Sequence, residues 1–373
     1  MLTDQVQVPT SIWQRDNPVS IRQRKYLTGT NVLVDAVGID VATTPRTLVW
    51  SSDHARLYRY HSPGGERLAV PVLLVYALIL RSYILDLVPG RSLVEALLAH
   101  GFDVYLLDWV APGEEDSHLG LDTYILDYLS EAVRRVEELS STSQLSMLGY
   151  CQGGTIATTY AALFPESVRN LVLLAAPINF APPPDARAGF LSTWARHQGQ
   201  TELDARRPGN LPADVNAALV RAITRAFATL TGTSHLLRAL RARLERDEEL
   251  RAWLAACQWV DDAVPFPRRA FRQWIRSFYQ DNALASGRLR VRGRPPLSRV
   301  TANLLNVVGT RDTVTPMWQS APTPELVASA DAESLIVDAG HVGLVVGPTA
   351  KQEVWERMTA WLASRGQPPR SFV

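Results

Sequence analysis

Gly149-Tyr150-Cys151-Gln152-Gly153-Gly154 lies between an apolar run, Leu145-Ser146-Met147-Leu148, and a helical pattern over residues 153–164. Strand, sharp turn and helix in that order are the form of a nucleophile elbow, here with cysteine where Gly-x-Ser-x-Gly carries serine. The small flanking residues let the backbone make the turn. In the helical pattern Ile156, Tyr160, Ala161 and Phe164 share one face. A thiol at Cys151 would sit beside the positive end of that helix, which favours thiolate. The bland reading is a buried structural cysteine after a strand. Packing alone does not account for the surrounding glycines.

Outward from the elbow, strands alternate with helices. Leu57-Tyr58-Arg59-Tyr60 and residues 70–76 read as strands, 92–100 as a helix and 102–109 as a strand. Residues 121–139 form an amphipathic helix with Tyr124, Ile125, Tyr128, Leu129, Ala132 and Val136 on one side, and 170–175 a further strand. That alternation predicts a mostly parallel sheet covered on both faces. The rhythm stops at residue 179. A proline cluster (Pro182-Pro183-Pro184) and helical stretches at 213–230, 234–250 and 268–285 follow, without a clear strand. Strands return at 302–308 and 334–337, and a helix at 351–364 closes the pattern. Before residue 50 periodicity is weak, with one plausible helix over 20–38. The reading is an N-terminal segment, 1–55, packing on the core or a partner; an α/β core in two parts, 56–178 and 300–373; and an inserted helical cap, 179–299.

A thiol nucleophile needs a base, and the base needs an orienting group. In α/β-hydrolase topology the acid and then the histidine follow the nucleophile, each after a late strand. Asp312, in Gly309-Thr310-Arg311-Asp312-Thr313, follows the strand ending at Val308; His341, in Ala339-Gly340-His341-Val342-Gly343, follows the one ending at Val337. The glycines beside His341 suggest a tight loop. A lone loop aspartate is most often a turn or cap residue. The order Cys151, Asp312, His341, each at a strand's C-terminal end, makes a catalytic triad the better reading. Asp338 is a rival acid, but it sits too near His341 in sequence. Asp331 lies before the last strand, at the wrong sheet edge. An oxyanion hole should use the Gln152 backbone N–H and one from the loop after the early strand, with Leu78 or Ile79 the second donor.

The 373 residues suffice for a large core. A 46% hydrophobic and 20% charged composition is that of a globular protein, and a formal charge of +1 argues against nucleic-acid binding by bulk electrostatics. Two cysteines, Cys151 and Cys257, make no disulfide framework. The first residues lack the regions of a signal peptide, and the longest apolar run, 68–80, contains Pro71 and is too short to span a bilayer. A reducing, cytoplasmic setting is the expectation. No metal-ligating cluster stands out.

Cysteine narrows the chemistry. A thiolate attacking an oxygen ester expels a poorer leaving group than itself, whereas exchange with a thioester is nearly balanced. The elbow therefore points to a thioester donor and transfer of the held acyl group to an alcohol, water being excluded by the cap, although cysteine elbows also occur in hydrolases.

Several segments resemble polyhydroxyalkanoate synthases. They are Leu78-Ile79-Leu80-Arg81-Ser82-Tyr83-Ile84-Leu85-Asp86-Leu87, Pro89-Gly90-Arg91-Ser92-Leu93, Asp103-Val104-Tyr105-Leu106-Leu107-Asp108-Trp109, the elbow itself and Trp259-Val260-Asp261-Asp262. Phe271-Arg272-Gln273-Trp274, Phe278-Tyr279-Gln280-Asp281-Asn282, Gly309-Thr310-Arg311-Asp312 and Gly340-His341-Val342-Gly343 fit as well, in order from about residue 57 to the end. The resemblance implies polymerisation of (R)-3-hydroxyacyl-CoA, 3-hydroxybutyryl-CoA by first choice, with release of coenzyme A. It implies an acyl chain on Cys151, proton abstraction by His341, and Asp312 either orienting His341 or activating the incoming hydroxyl. No cofactor is implied, since the CoA thioester is substrate and CoA product. The short N-terminal part resembles the class III-like catalytic subunits, which work with a second protein, PhaE-like in preference to PhaR-like. A homodimer at the surface of cytoplasmic polymer granules is also implied. The chain departs from the family at Leu80-Arg81-Ser82 (usually Asn-Arg-Pro), Thr313 (commonly His) and Ala339 (commonly Gly).

The alternative is a cysteine-nucleophile hydrolase, thioesterase or dienelactone-hydrolase-like; a granule scaffold that lost activity is a third. The cap is rich in large aromatics (Phe190, Trp194, Trp253, Trp259, Phe266, Phe271, Trp274, Phe278, Tyr279), for which packing is a better reading than a polymer channel. Its arginines read mostly as solvated surface.

Overall fold

The computed structural model describes residues 39–62, 64, 68–184, 247–262, 264–293 and 299–366. Its frame is an eight-stranded sheet. In chain order the strands are β1 (Arg46–Ser51), β2 (Ala55–Tyr60), β3 (Val72–Val75), β4 (Asp86–Val88), β5 (Arg91–Ser92), β6 (Val104–Trp109), β7 (Leu145–Tyr150), β8 (Val168–Leu174), β9 (Asn303–Gly309) and β10 (Ala332–Val337). Across the sheet they run β1-β2-β6-β3-β7-β8-β9-β10, while β4 and β5 form a separate small hairpin. β1 and β2 join antiparallel, and every pairing from β6 to β10 is parallel. Every residue of β3, β6 and β7 is buried, as strands covered on both faces require.

Helices α1 (Leu93–Ala99), α2 (Ser130–Ser140), α3 (Gln152–Leu163) and α6 (Glu356–Arg365) belong to the sheet domain; α4 (Asp247–Asp261) and α5 (Arg268–Trp274) lie in the inserted region. Ser92 caps α1 by accepting from the Glu95 N–H. α2 continues a helical run that starts at Leu121 and widens to π geometry over Tyr124–Leu129, so the expected single helix is present with a bulge inside it. α3 is buried on every side rather than along one stripe. It sits above the sheet's centre, where no face meets water.

Residues 46–51, expected to belong to an irregular N-terminal segment, instead add the edge strand β1. Its burial alternates poorly because it lies at the margin, and Leu48 is exposed. The expected helices at 20–38 and 213–230, and most of 234–250, lie outside the described residues, as do Phe190 and Trp194. The described part of the insertion docks tightly on the core. The Val264 N–H donates to the Ile79 carbonyl (2.9 Å), Ala270 to Leu119 (3.0 Å), and the Trp259 indole to the Arg81 carbonyl (2.8 Å). Trp259, Phe266, Phe271, Trp274 and Phe278 are buried, and the Trp274 and Phe278 rings pack on Phe180 at 6.0 and 5.4 Å. Among the described residues, no helix is long and apolar enough to cross a membrane.

Candidate active site

β7 ends at Tyr150, and Cys151 takes φ 54°, ψ −127° before α3 begins. A side chain held there costs roughly 1–3 kcal/mol, tolerated only where the surroundings enforce it. Here glycine packing enforces it. A Cβ on Gly149 would lie 2.5 Å from the Gly154 Cα, one on Gly153 2.2 Å from the Val75 carbonyl oxygen, and one on Gly154 2.4 Å from the Ala176 Cβ. Cys151 is clamped through its backbone, its N–H donating to Leu174 (2.9 Å) and its carbonyl accepting from Gly154 (2.9 Å). The thiol is partly exposed at the helix N-terminus.

Three strands deliver the predicted trio to one end of the sheet. Asp312 follows β9 and His341 follows β10, with the His341 Nδ1–H donating to Asp312 Oδ2 at 2.7 Å. The other Asp312 oxygen, Oδ1, accepts the Val314 and Thr315 N–H groups at 2.9 and 2.8 Å. His341 also hydrogen-bonds Cys151, which places the imidazole between thiol and carboxylate. Burial opposes a charge on His341, but Asp312 and then Cys151 outweigh it, and its pKa is pushed up from 6.5 to about 10.

That shift fixes a stability dependence. A group whose folded pKa is raised stabilises fully below its unfolded pKa, and the contribution is lost as pH rises through the folded one. The stability gap between wild type and His341→Gln should therefore narrow from about pH 7 to about pH 10, measured as urea midpoints across that range. A constant gap would refute the assignment.

The Gln152 N–H opens α3 and so has no acceptor within the helix. The Leu78 N–H, one of the two expected partners for it, is already engaged: it donates to Gln152 Oε1 at 2.8 Å. The Gln152 side chain, absent from the sequence-level reading, thus ties the loop after β3 to the elbow. Ile79 is held next to it by its carbonyl bond from Val264.

Three tyrosines to which the sequence assigned no place at the site lie near the thiol. Burial raises the pKa of Tyr76, Tyr150 and Tyr279, and proximity to Cys151 raises each further. The Tyr150 ring lies 5.0 Å from the His341 ring and its hydroxyl donates to the His341 carbonyl at 3.3 Å; the Tyr76 ring is 5.9 Å from that of Tyr150. The Tyr279 phenol hydrogen-bonds the Trp274 indole five residues earlier, a spacing brought together by the π turn Ile275–Gln280. Tyr150 had a signal, as the variable residue within the elbow. Tyr279 stood out only as one of the cap aromatics, because periodicity does not reveal a π turn. Gly340 and Gly343, expected to shape the histidine loop, both avoid positive φ.

An α/β-hydrolase fold with a cysteine elbow, an acid after β9 and a histidine after β10 defines the class: a nucleophilic acyl-transfer scaffold. Residues 70–348 match the family described as alpha/beta hydrolase fold, and residues 20–97 the one described as poly-beta-hydroxybutyrate polymerase (PhaC) N-terminus. The chain is 35% identical over 336 residues to the poly(3-hydroxyalkanoate) polymerase subunit PhaC of Haloferax mediterranei, covering 88% of this chain and 66% of that one. To the same subunit of Allochromatium vinosum it is 33% identical over 345 residues, covering 92% and 95%. A carboxylesterase structure from Nitrososphaera gargenis shares the fold, with TM-score 0.50, 16% identity, and 86% and 98% of the two chains covered. The chain belongs to the poly(3-hydroxyalkanoate) polymerase subunit PhaC family, whose members are acyltransferase-type enzymes.

Proposed function

We propose that this protein polymerises (R)-3-hydroxyacyl-CoA, 3-hydroxybutyryl-CoA by first choice, through an acyl-cysteine on Cys151. The observation that carries the reading is the 2.7 Å His341–Asp312 bond with Cys151 on the other side of the imidazole. In the first step His341 takes the Cys151 proton and the sulfur adds to the thioester carbonyl carbon. The bond from that carbon to the CoA sulfur breaks, and CoA leaves with the proton from His341. In the second, the 3-hydroxyl of an acyl chain attacks the acyl-cysteine, its proton passes to His341, and the Cys151 sulfur is released to recover it. Asp312 has one oxygen on His341 and the other on two backbone amides, which supports an orienting role over activation of the hydroxyl. The Gln152 N–H, with that of Ile79 in preference to the engaged Leu78, would receive the developing oxyanion.

The described part of the insertion serves in this reading as a cap that keeps water from the acyl-enzyme, its buried aromatics packing on the core. A PhaE-like second subunit, a homodimer and attachment to polymer granules complete the proposal; the relatives' description as a polymerase subunit supports a second component. The test is CoA release from (R)-3-hydroxybutyryl-CoA by purified protein, with and without a candidate second subunit, and analysis of the product. Polymer is the expected outcome, formed faster with the second subunit. Free 3-hydroxy acid as sole product would overturn the reading in favour of a thioesterase.

A further inference from the structure

The register of β9 with β10 ends at the pair Gly309–Val337, three residues short of Asp312 and four short of His341. Something must hold the two loops at the right separation beyond the last paired residues. Two main-chain bonds extend the ladder: Thr310 N–H to Val337 O (2.9 Å) and Arg311 N–H to Ala339 O (3.1 Å). Gly309 permits this closeness, since a Cβ there would lie 2.5 Å from the Ala339 carbonyl oxygen.

A side-chain clasp then crosses the gap. Arg311 Nε meets Asp338 Oδ1 at 2.8 Å, Arg311 Nη2–H donates to the Asp338 carbonyl at 2.7 Å, and the Thr310 hydroxyl donates to Asp338 Oδ1 at 3.0 Å. Arg311 thus grips one residue by both its carboxylate and its main chain, with a planar fork that lysine lacks. Arg311 immediately precedes Asp312, and Asp338 lies three residues before His341.

We propose that the Arg311–Asp338 clasp is a positioning device for the Asp312–His341 pair, setting the distance between the two loops that carry them. The proposal rests on the catalytic reading of Cys151, His341 and Asp312. Both clasp side chains are largely exposed (66% and 76%), so the ion pair contributes little to folding. Its leverage is on geometry, where a displacement of about 1 Å can cost on the order of a hundredfold in rate.

The test compares wild type with Asp338→Asn, Arg311→Gln and the double variant. Three quantities are read: kcat against KM for CoA release, the thermal midpoint, and the rate at which iodoacetamide labels Cys151, with Cys257 as internal reference. Expected is a kcat loss on the order of five- to tenfold in each single variant, KM and thermal midpoint nearly unchanged, and a double variant no worse than either single one. Cys151 labelling should slow in parallel while that of Cys257 does not. Arg311→Lys should recover little. Unchanged kcat and labelling, or equal losses in stability and activity, would overturn the clasp. Should wild type release no CoA, the function proposal fails, while labelling still decides for or against the clasp.

Discussion

Cys151→Ala should fold normally and release CoA from (R)-3-hydroxybutyryl-CoA at least ~10³-fold more slowly than wild type, with no polymer formed. In the proposed mechanism the sulfur is the atom that receives the acyl group, and neither His341 nor Asp312 can substitute for it, since one donates to the other at 2.7 Å and both are buried. Folding is spared because alanine carries the same Cβ at φ 54° and loses only a partly exposed thiol. Cys151→Ser is the sharper comparison. It keeps the shape and the hydroxyl can meet His341, but acyl transfer from a thioester to serine gives an oxygen ester, which no longer holds the acyl group activated for a hydroxyl. Expected is slow CoA release in a single turnover and no chain growth. Thiol release, mass spectrometry of the trapped ester and the circular dichroism spectrum check the three parts. Release in Cys151→Ala above about one hundredth of wild type would place the chemistry elsewhere.

How much of this could be read from the chain depended on which force set each feature. The elbow was legible because three glycines there are compelled by close packing, two of them against backbone, and a compelled glycine leaves a mark in sequence. The Asp312 and His341 loops were legible because buried β9 and the following strand end in recognisable turns. β1 was not, since an edge strand with half its residues exposed carries no clean alternation. The choice between Leu78 and Ile79 was not legible for a different reason: the acceptor of the Leu78 amide is a side chain 74 residues away. Asp338 was dismissed as a catalytic acid on spacing alone, and its bond to Arg311 shows where its carboxylate goes instead. The tyrosines around Cys151 come from a strand end, the elbow and a π turn, a convergence that exists only in three dimensions.

Gly153→Ala carries the largest expected cost to folding. An added Cβ would sit 2.2 Å from the Val75 carbonyl oxygen and 2.8 Å from the carbonyl carbons of Val75 and Tyr76, all main-chain atoms at the end of β3. No side-chain rotation relieves such a clash. Either α3 lifts away from the sheet or β3 shifts against β6 and β7, its hydrogen-bonded neighbours on both sides. Each route disturbs a buried core, so the cost should exceed the 1–3 kcal/mol usual for overpacking. Lifting α3 would also move Gln152 away from Leu78 and tilt Cys151 out of line with His341, so any folded remainder should be inactive. Gly343→Ala is the control, because a Cβ there meets only the Ala339 Cβ at 3.6 Å, an ordinary contact. Expected is a collapse in soluble yield, or a much lower urea midpoint, for Gly153→Ala and a near-wild-type midpoint for Gly343→Ala. Equal stability of the two variants would mean that the elbow is not held by the backbone contact between α3 and β3.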